Sequence, residues 1–173
     1  MDFNCEIKEL PAQPVLSIRA KCAVQELPQL LGVSFGAIAQ HLDGMGENLA
    51  GAPFVVYYNM DMQDLDMEIG FPVLRTLPGR GEVQAGFTPA GKAASCLHIG
   101  PYNEVASAYN DLSAWISTQG VQPTGVAYEF YLNDPQHTPP AELQTLILYP
   151  LAEGKNRNAG CWSGQTRPAP SFS

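Results

Sequence analysis

Positively charged residues are scarce in this sequence, which has 9 Lys and Arg against 17 Asp and Glu and a formal net charge of -8. A chain with this balance repels phosphate backbones and anionic lipid head groups rather than recruiting them. We therefore expect no direct contact with nucleic acid. Long apolar runs are also missing, because proline, glycine and glutamine interrupt the longest uncharged segment, 27–41. That interruption excludes a membrane span.

Closely spaced cysteines are missing as well. The four cysteines are Cys5, Cys22, Cys96 and Cys161. They form no C-x-x-C pair, which argues against zinc ligation and a disulfide framework and fits a reducing cytoplasm. The histidines share no metal-ligand spacing with one another or with cysteine, and the acidic stretch 59–70 has Asp64 where an EF-hand loop needs glycine. We predict no metal site and no cofactor.

The sequence does contain a repeat. A shift of 74 residues pairs Leu31 with Val105, Phe35 with Tyr109, Gly46 with Gly120, Tyr57 with Tyr131 and Asn59 with Asn133. These matches continue without a gap across two kinds of predicted element. A repeat explains them better than chance does.

Each half of the chain has the same order of predicted elements. A short strand precedes an amphipathic helix, whose apolar residues recur at three- and four-residue intervals, and a strand pair follows. The strands are at about 15–19, 54–60 and 66–72 in the first half, and at about 94–99, 128–132 and 144–150 in the second. We therefore predict an α+β fold. Two pseudo-twofold β-α-β-β modules, at about 15–73 and 93–151, form a curved, mainly antiparallel sheet with two long helices.

The remaining segments lack an apolar period. Residues 74–91 are interpreted as the linker between halves, and their glycine-rich part opens no helix that could hold a phosphate. Residues 152–173 are rich in Gly, Pro, Ser and Asn, so we expect a mobile tail after one domain at 1–151. Trp162 or Phe172 could still dock on that domain. Acidic residues near the N-terminus do not suit a signal peptide, so we expect a cytoplasmic protein.

One catalytic motif fails its structural context. The segment GVSFG, residues 32–36, matches the G-x-S-x-G nucleophile elbow, which requires a sharp turn between a strand and a helix. Here the motif falls inside the predicted first helix. We therefore expect no serine catalysis.

An acidic side chain lies within an apolar strand at YEFYLNDP, residues 128–135. Strand alternation places Glu129 and Tyr131 on one face, with Tyr128 and Phe130 on the other. The repeat sets Val55 and Tyr57 at the positions that match Glu129 and Tyr131, so these four side chains could meet near the pseudo-twofold axis.

A second carboxylate candidate is Glu68. Asp66, Glu68 and Gly70 alternate with Met67 and Ile69, so that strand has one acidic and one apolar face.

Three interpretations of Glu129 follow from its residue type and surroundings. A partly desolvated carboxylate among tyrosines prefers a positively charged ligand, because Coulomb attraction and cation-π contact act together. Without a ligand the same burial would raise the carboxyl pKa, which also suits a general acid or base. The pattern equally allows Glu129 to face water on an ordinary sheet surface.

The segments 100–120 and 128–151 and, more weakly, 54–73 resemble the GyrI-like family. Its fold is the effector-binding domain also found at the C-terminus of AraC-type and MerR-type bacterial regulators. The resemblance spans about 3–151 and implies two β-α-β-β modules that bind small, often cationic or aromatic, molecules. In that family the glutamate of the E-x-Y-L-x-D-P segment lies in the ligand cavity, and Glu129 is at that position.

Relatives without a DNA-binding domain imply three roles. They are the sensing or sequestering of a small molecule, the inhibition of DNA gyrase by contact, and the hydrolysis of electrophilic cyclopropane-bearing toxins. Only about fourteen residues precede the first predicted strand, too few for a helix-turn-helix module. We therefore interpret the chain as a stand-alone domain.

The leading hypothesis is a cytoplasmic protein that captures an aromatic cation between its halves. The candidate ligand-binding residues are Glu129, Tyr131, Tyr57, Glu68, Val55, Tyr109 and Trp115. In the hydrolase hypothesis, Glu129 with Glu68 would orient or deprotonate water while a tyrosine or Trp115 holds the substrate.

Overall fold

The computed structural model describes residues 5–134 and 136–152. The predicted tail from residue 153 onward, with Trp162 and Phe172, lies outside the described residues. The described part contains helices α1 (Leu27–Met45) and α2 (Val105–Gln119). Its strands are β1 (Cys5–Leu10), β2 (Pro14–Cys22), β3 (Phe54–Tyr57), β4 (Leu65–Pro72), β5 (Gln84–Phe87), β6 (Gly91–Ile99), β7 (Ala127–Tyr131) and β8 (Gln144–Pro150).

These strands form one antiparallel sheet in the order β1-β6-β8-β7-β3-β4-β2-β5. The central pair, β7 and β3, divides the sheet into two halves of matching order. One module is β2-α1-β3-β4 and the other is β6-α2-β7-β8, so the predicted α+β fold of two β-α-β-β modules is confirmed.

The two edge strands are not predicted by the sequence pattern. β1 comes directly before the first module in the chain but pairs with β6 of the second module. β5 comes directly before the second module but pairs with β2 of the first. The interpretation of 74–91 as linker is therefore wrong over Gln84–Phe87. The sequence QAGF has no β-branched residue, and CEIKEL carries three charges, so neither segment has the composition typical of a strand.

The connections between strands require the sheet to curl. Residues 11–13 join β1 to β2, although these strands lie six places apart in the sheet order. In a flat sheet that separation would be about 29 Å, whereas the connecting residues reach about 14 Å. The curl encloses the helix-free face, and its apolar cluster of Val15, Phe54, Val56, Ala93, Tyr128 and Leu148 is at most 5% exposed.

Both helices lie on the other face of the sheet. α1 packs mainly against β2 and β4, and α2 packs mainly against β6 and β8. The helices end at Gly46 and Gly120, each at a φ of 70°. Side chains disfavour this left-handed conformation, so glycine suits both ends. In the part of the chain that the structure describes, no helix is long and apolar enough to cross a membrane.

Candidate functional site

A cleft lies between the helices, above the central strands. Because each helix covers the outer strands of its own module, β3 and β7 remain uncovered between them. The cleft has a volume of about 1390 Å³, which exceeds the roughly 300–1,000 Å³ of typical ligand pockets. Both helices, the central strands, β8 and the turn between β3 and β4 contribute lining residues. The position of this cleft therefore follows from the pseudo-twofold arrangement.

Glu129 lies in the wall of this cleft and is only 8% exposed. It is directly opposite Val55 on β3. The Tyr109 hydroxyl donates a hydrogen bond to Oε2 of Glu129 over 2.5 Å, and the Tyr131 hydroxyl donates to Oε1 over 2.8 Å. Each carboxylate oxygen therefore accepts from one tyrosine, and Glu129 is not part of an ordinary solvated sheet surface.

The burial of Glu129 raises its pKa above the ordinary value of 4.5. The hydrogen bonds from Tyr109 and Tyr131 oppose this increase, as does the nearby His98. Burial, followed by the charge of Glu129, raises the pKa of both tyrosines, so their hydroxyls keep their protons and donate. Among the described residues that line the cleft, none is Lys or Arg. No cationic side chain of the lining therefore neutralises the carboxylate.

The predicted site residues fall into two groups. Glu129, Tyr131, Tyr57 and Tyr109 line the cleft together. Val55 lies opposite Glu129 but is fully buried, in a cluster with Met67 and Ile69. Trp115 is on α2 but packs against the apolar cluster around Leu112, outside the cleft lining.

Glu68 does not share the cleft with Glu129. It is paired with Val56, which is in turn paired with Tyr128, so these residues lie on the helix-free face. The hydroxyls of Ser17 and Tyr58 each donate to the Glu68 carboxylate over 2.5 Å. Alternation correctly predicts which residues of β4 share a face. The helices pack against the apolar face, and Glu68 belongs to the acidic face on the other side of the sheet. The placement of Glu68 disagrees with the expectation of a second carboxylate at the site.

Sequence reasoning missed several lining residues, although the repeat contained a signal for some of them. Leu31 and Phe35 line the cleft from α1, and their repeat partners Val105 and Tyr109 line it from α2. Because Tyr109 is a candidate site residue, the repeat also makes its partner Phe35 a candidate.

Thr145 carries no comparable signal, because a threonine is common in a strand. It is opposite Tyr131, lines the cleft and is fully buried. Its Oγ1 is the one buried side-chain nitrogen or oxygen without a hydrogen-bond partner in the described part of the chain.

A two-module sheet with a cleft between its helices that is large enough to hold a small molecule is the arrangement of a small-molecule-binding domain. The model of the GyrI-like small molecule binding domain family matches residues 3–152, so the chain belongs to that family. The resemblance found in the sequence is thereby confirmed. Among curated proteins, no sequence matches this chain.

Solved structures with a similar fold include the C-terminal domain of EcmrR. Its TM-score is 0.78 at 23% identity, over 88% of this chain and 99% of that chain. A hydrolase from Listeria innocua has a TM-score of 0.61 at 19% identity, over 86% and 92% of the two chains. SAV2435 bound to tetraphenylphosphonium has a TM-score of 0.60 at 12% identity, over 88% and 95%. At these identities the likeness shows the fold alone.

Proposed function

We propose that this protein is a cytoplasmic sensor or scavenger that binds an aromatic cation in the cleft between its two modules. The observation that carries the proposal is the burial of the Glu129 carboxylate in a cleft to which the described residues contribute no Lys or Arg side chain. A buried charge that lacks an opposite charge raises the free energy of the folded protein. A bound cation would supply that opposite charge.

The tyrosines around Glu129 suit the same ligand. Tyr57, Tyr109 and Tyr131 line the cleft beside the carboxylate, and the Tyr102 ring meets the Tyr131 ring edge to face with centroids 5.6 Å apart. Aromatic faces attract cations and also stack on aromatic ligands. A protein of the same fold, SAV2435, is bound to the aromatic cation tetraphenylphosphonium, which supports this ligand class.

The direct test is calorimetric titration of tetraphenylphosphonium into the wild-type protein and the Glu129→Gln variant. At a separation of about 5 Å and an effective dielectric constant of about 20, the two charges attract by roughly 3 kcal/mol. We expect the variant to bind on the order of 100-fold more weakly. Equal affinities would contradict a charge role for Glu129.

The chain offers a matched control for this substitution. Glu68→Gln removes a hydrogen-bonded carboxylate from the opposite face of the same sheet. We expect it to leave the affinity for tetraphenylphosphonium unchanged. The neutral ligand triphenylphosphine oxide, with similar rings, should not show the loss of affinity in Glu129→Gln that tetraphenylphosphonium shows.

A second candidate function is hydrolysis of a strained electrophile such as a cyclopropane-bearing toxin. The raised pKa of Glu129 favours it, because a carboxyl that titrates nearer to neutral pH can deprotonate water. Incubation followed by mass spectrometry should then show a product with one added water, which Glu129→Gln does not form. A ligand recovered unchanged would argue against hydrolysis.

A third role, inhibition of DNA gyrase by contact, is implied by family membership alone. It needs no chemistry in the cleft. It predicts that Glu129→Gln leaves any inhibition of supercoiling intact.

A further inference from the structure

Two cysteines that are distant in the sequence lie directly opposite each other in the sheet. Cys5 on β1 is paired with Cys96 on β6, and residues 6–95 separate them in the chain. Both thiols are free, and they are close enough that each affects the pKa of the other. No sequence pattern brings them together, because β1 is one of the two edge strands that periodicity does not predict.

The geometry of this pair suits a disulfide. Directly opposite residues of an antiparallel strand pair have Cα atoms about 4.5–5.5 Å apart, and a disulfide needs Cα atoms about 4.4–6.8 Å apart. Both side chains also lie on the face that the helices cover, because Cys96 belongs to the apolar cluster under α2 and Cys5 packs against that cluster. Formation of an S–S bond therefore needs rotation of the two side chains rather than a shift of the strands.

The surroundings of the pair favour uncharged sulfur. Cys96 is 3% exposed and Cys5 is half-buried, and both contact an apolar cluster that includes Leu112 of α2. Burial raises the pKa of Cys5 to about 12, and hydrogen bonding with Cys96 and the charges of Cys96 and Asp111 add to the increase. Burial also raises the pKa of Cys96, although its hydrogen bond with Cys5 opposes that rise.

A metal ion fits these surroundings less well than a disulfide does. Soft metal ions bind cysteine as the thiolate, which burial disfavours here. The described residues also offer no group of three or more His, Cys, Asp or Glu side chains that could hold a metal ion. A disulfide carries no charge, so the apolar cluster accommodates it as readily as it accommodates two thiols.

A bond between these two residues would close a large ring. The segment between them contains β2, α1, β3, β4 and β5, so the bond would connect β1 to the second module around the whole first module. A cross-link between residues so far apart in the chain removes many conformations of the unfolded state. The folded state already holds the two residues opposite each other. The bond should therefore stabilise the fold and fix β1 at its edge of the sheet.

We propose that Cys5 and Cys96 are a redox-active pair that forms a cross-strand disulfide between β1 and β6 under oxidising conditions. The oxidant is a low-molecular-weight disulfide. Neither cysteine is among the described residues that line the cleft, so this inference does not depend on the proposed function.

The reaction is a pair of thiol–disulfide exchanges. The more exposed sulfur, that of Cys5, attacks the small disulfide as a thiolate, and one small thiolate leaves. The Cys96 thiolate then attacks the Cys5 sulfur of this mixed disulfide, and the second small thiolate leaves. The protons of the two cysteines go to the two leaving groups. The protein thus loses two electrons, and the small disulfide gains them and becomes two thiols.

The test is incubation of the folded full-length chain with glutathione disulfide. Mass spectrometry should show a protein that has lost two hydrogen atoms, and protease digestion should give a peptide pair joined through Cys5 and Cys96. Dithiothreitol should reverse the change. The rate should rise about tenfold for each unit of pH below the pKa of the attacking thiol, because only the thiolate reacts.

Thermal unfolding of the oxidised and reduced wild-type protein measures the effect of the bond without any substitution. The oxidised protein should have the higher Tm, by on the order of 10 °C. Cys5→Ser should have the same Tm with and without the oxidant. Cys22→Ser is the matched control, because Cys22 is also half-buried in a strand but is opposite Leu65 rather than a cysteine. It should keep the increase.

Four results would overturn the proposal. One is recovery of both thiols after prolonged incubation at alkaline pH. Another is a glutathione adduct that persists at Cys5 without closing onto Cys96. A disulfide that leaves the Tm unchanged or lowers it would show that the two residues are not held in place by the fold. Retention of the Tm increase in Cys5→Ser would assign the effect to another cysteine.

Discussion

Val55 and Glu129 lie directly opposite each other on the two central strands, at equivalent positions of the 74-residue repeat. The backbone is therefore nearly twofold at this point, while the charge comes from one module only. Both residues are shielded from solvent, with exposures of 0% and 8%. The carboxylate thus has no symmetric partner to repel it or to share a proton with it. Its pKa is raised by burial and lowered by the two tyrosine donors and by the nearby His98.

Binding of a permanent cation should depend on pH through Glu129. The charged carboxylate attracts the cation and the protonated one does not, so affinity for tetraphenylphosphonium should rise with pH until Glu129 is fully ionised. Because burial raises the pKa of Glu129 above 4.5, this rise should extend above that pH. Titrations over a range of pH check this. The Glu129→Gln variant should show a flat profile, and a parallel rise in that variant would assign the pH dependence to another group.

The stability of the unliganded protein should have its own pH dependence. A carboxyl whose pKa is raised by folding binds its proton more tightly in the folded state. Its contribution therefore favours folding below pH 4.5 and is lost as pH rises through the folded-state pKa. Relative to wild type, Glu129→Gln should gain in free energy of unfolding across this window. Urea denaturation of both proteins from about pH 4 to about pH 8 measures the difference. A difference that stays constant with pH would contradict the raised pKa.

Removal of either of two buried hydroxyl groups should change the free energy of unfolding, in opposite directions. Thr145 Oγ1 has no partner among the described residues, so Thr145→Val should raise the free energy of unfolding by about 1 kcal/mol. Ser17 is also buried, but it donates to Glu68 over 2.5 Å. Ser17→Ala should therefore lower the free energy of unfolding by about 1 kcal/mol. Denaturant midpoints of the two variants give both values. A destabilised Thr145→Val would mean that the hydroxyl has a partner in solution.

Gly32 inside α1 and Gly46, which follows its last residue, should respond to alanine substitution with opposite changes in stability. Gly46 ends the helix at a φ of 70°, where a side chain costs about 1 kcal/mol, so Gly46→Ala should be destabilising. Gly32 lies in the helix interior with open space around its Cα, so Gly32→Ala should raise stability by about 0.5–1 kcal/mol. Thermal unfolding distinguishes the two. Equal effects would contradict the assigned end of the helix.

The sequence predicts the two modules because their helices and strands show local apolar periodicity and because the same pattern recurs 74 residues later. It does not predict β1 and β5, since edge strands form through pairing with residues far along the chain. Alternation shows which residues of β4 share a face, but not which face the helices cover. For this reason the sequence pattern makes Glu68 a candidate for the cleft, whereas the structure places it on the helix-free face of the sheet. The unpartnered state of Thr145 depends on the side chains around it, which no sequence pattern specifies.

The most direct measurement is the pKa of Glu129 with and without bound cation, followed by NMR of carbon-13-labelled glutamate carboxyls and assigned by comparison with Glu129→Gln. In the free protein the pKa should lie above 4.5, because the carboxylate is buried. Saturating tetraphenylphosphonium should lower it, since a cation beside the carboxylate favours the ionised form. The same pKa in the free and saturated protein would contradict the claim that Glu129 is the counter-charge of the ligand.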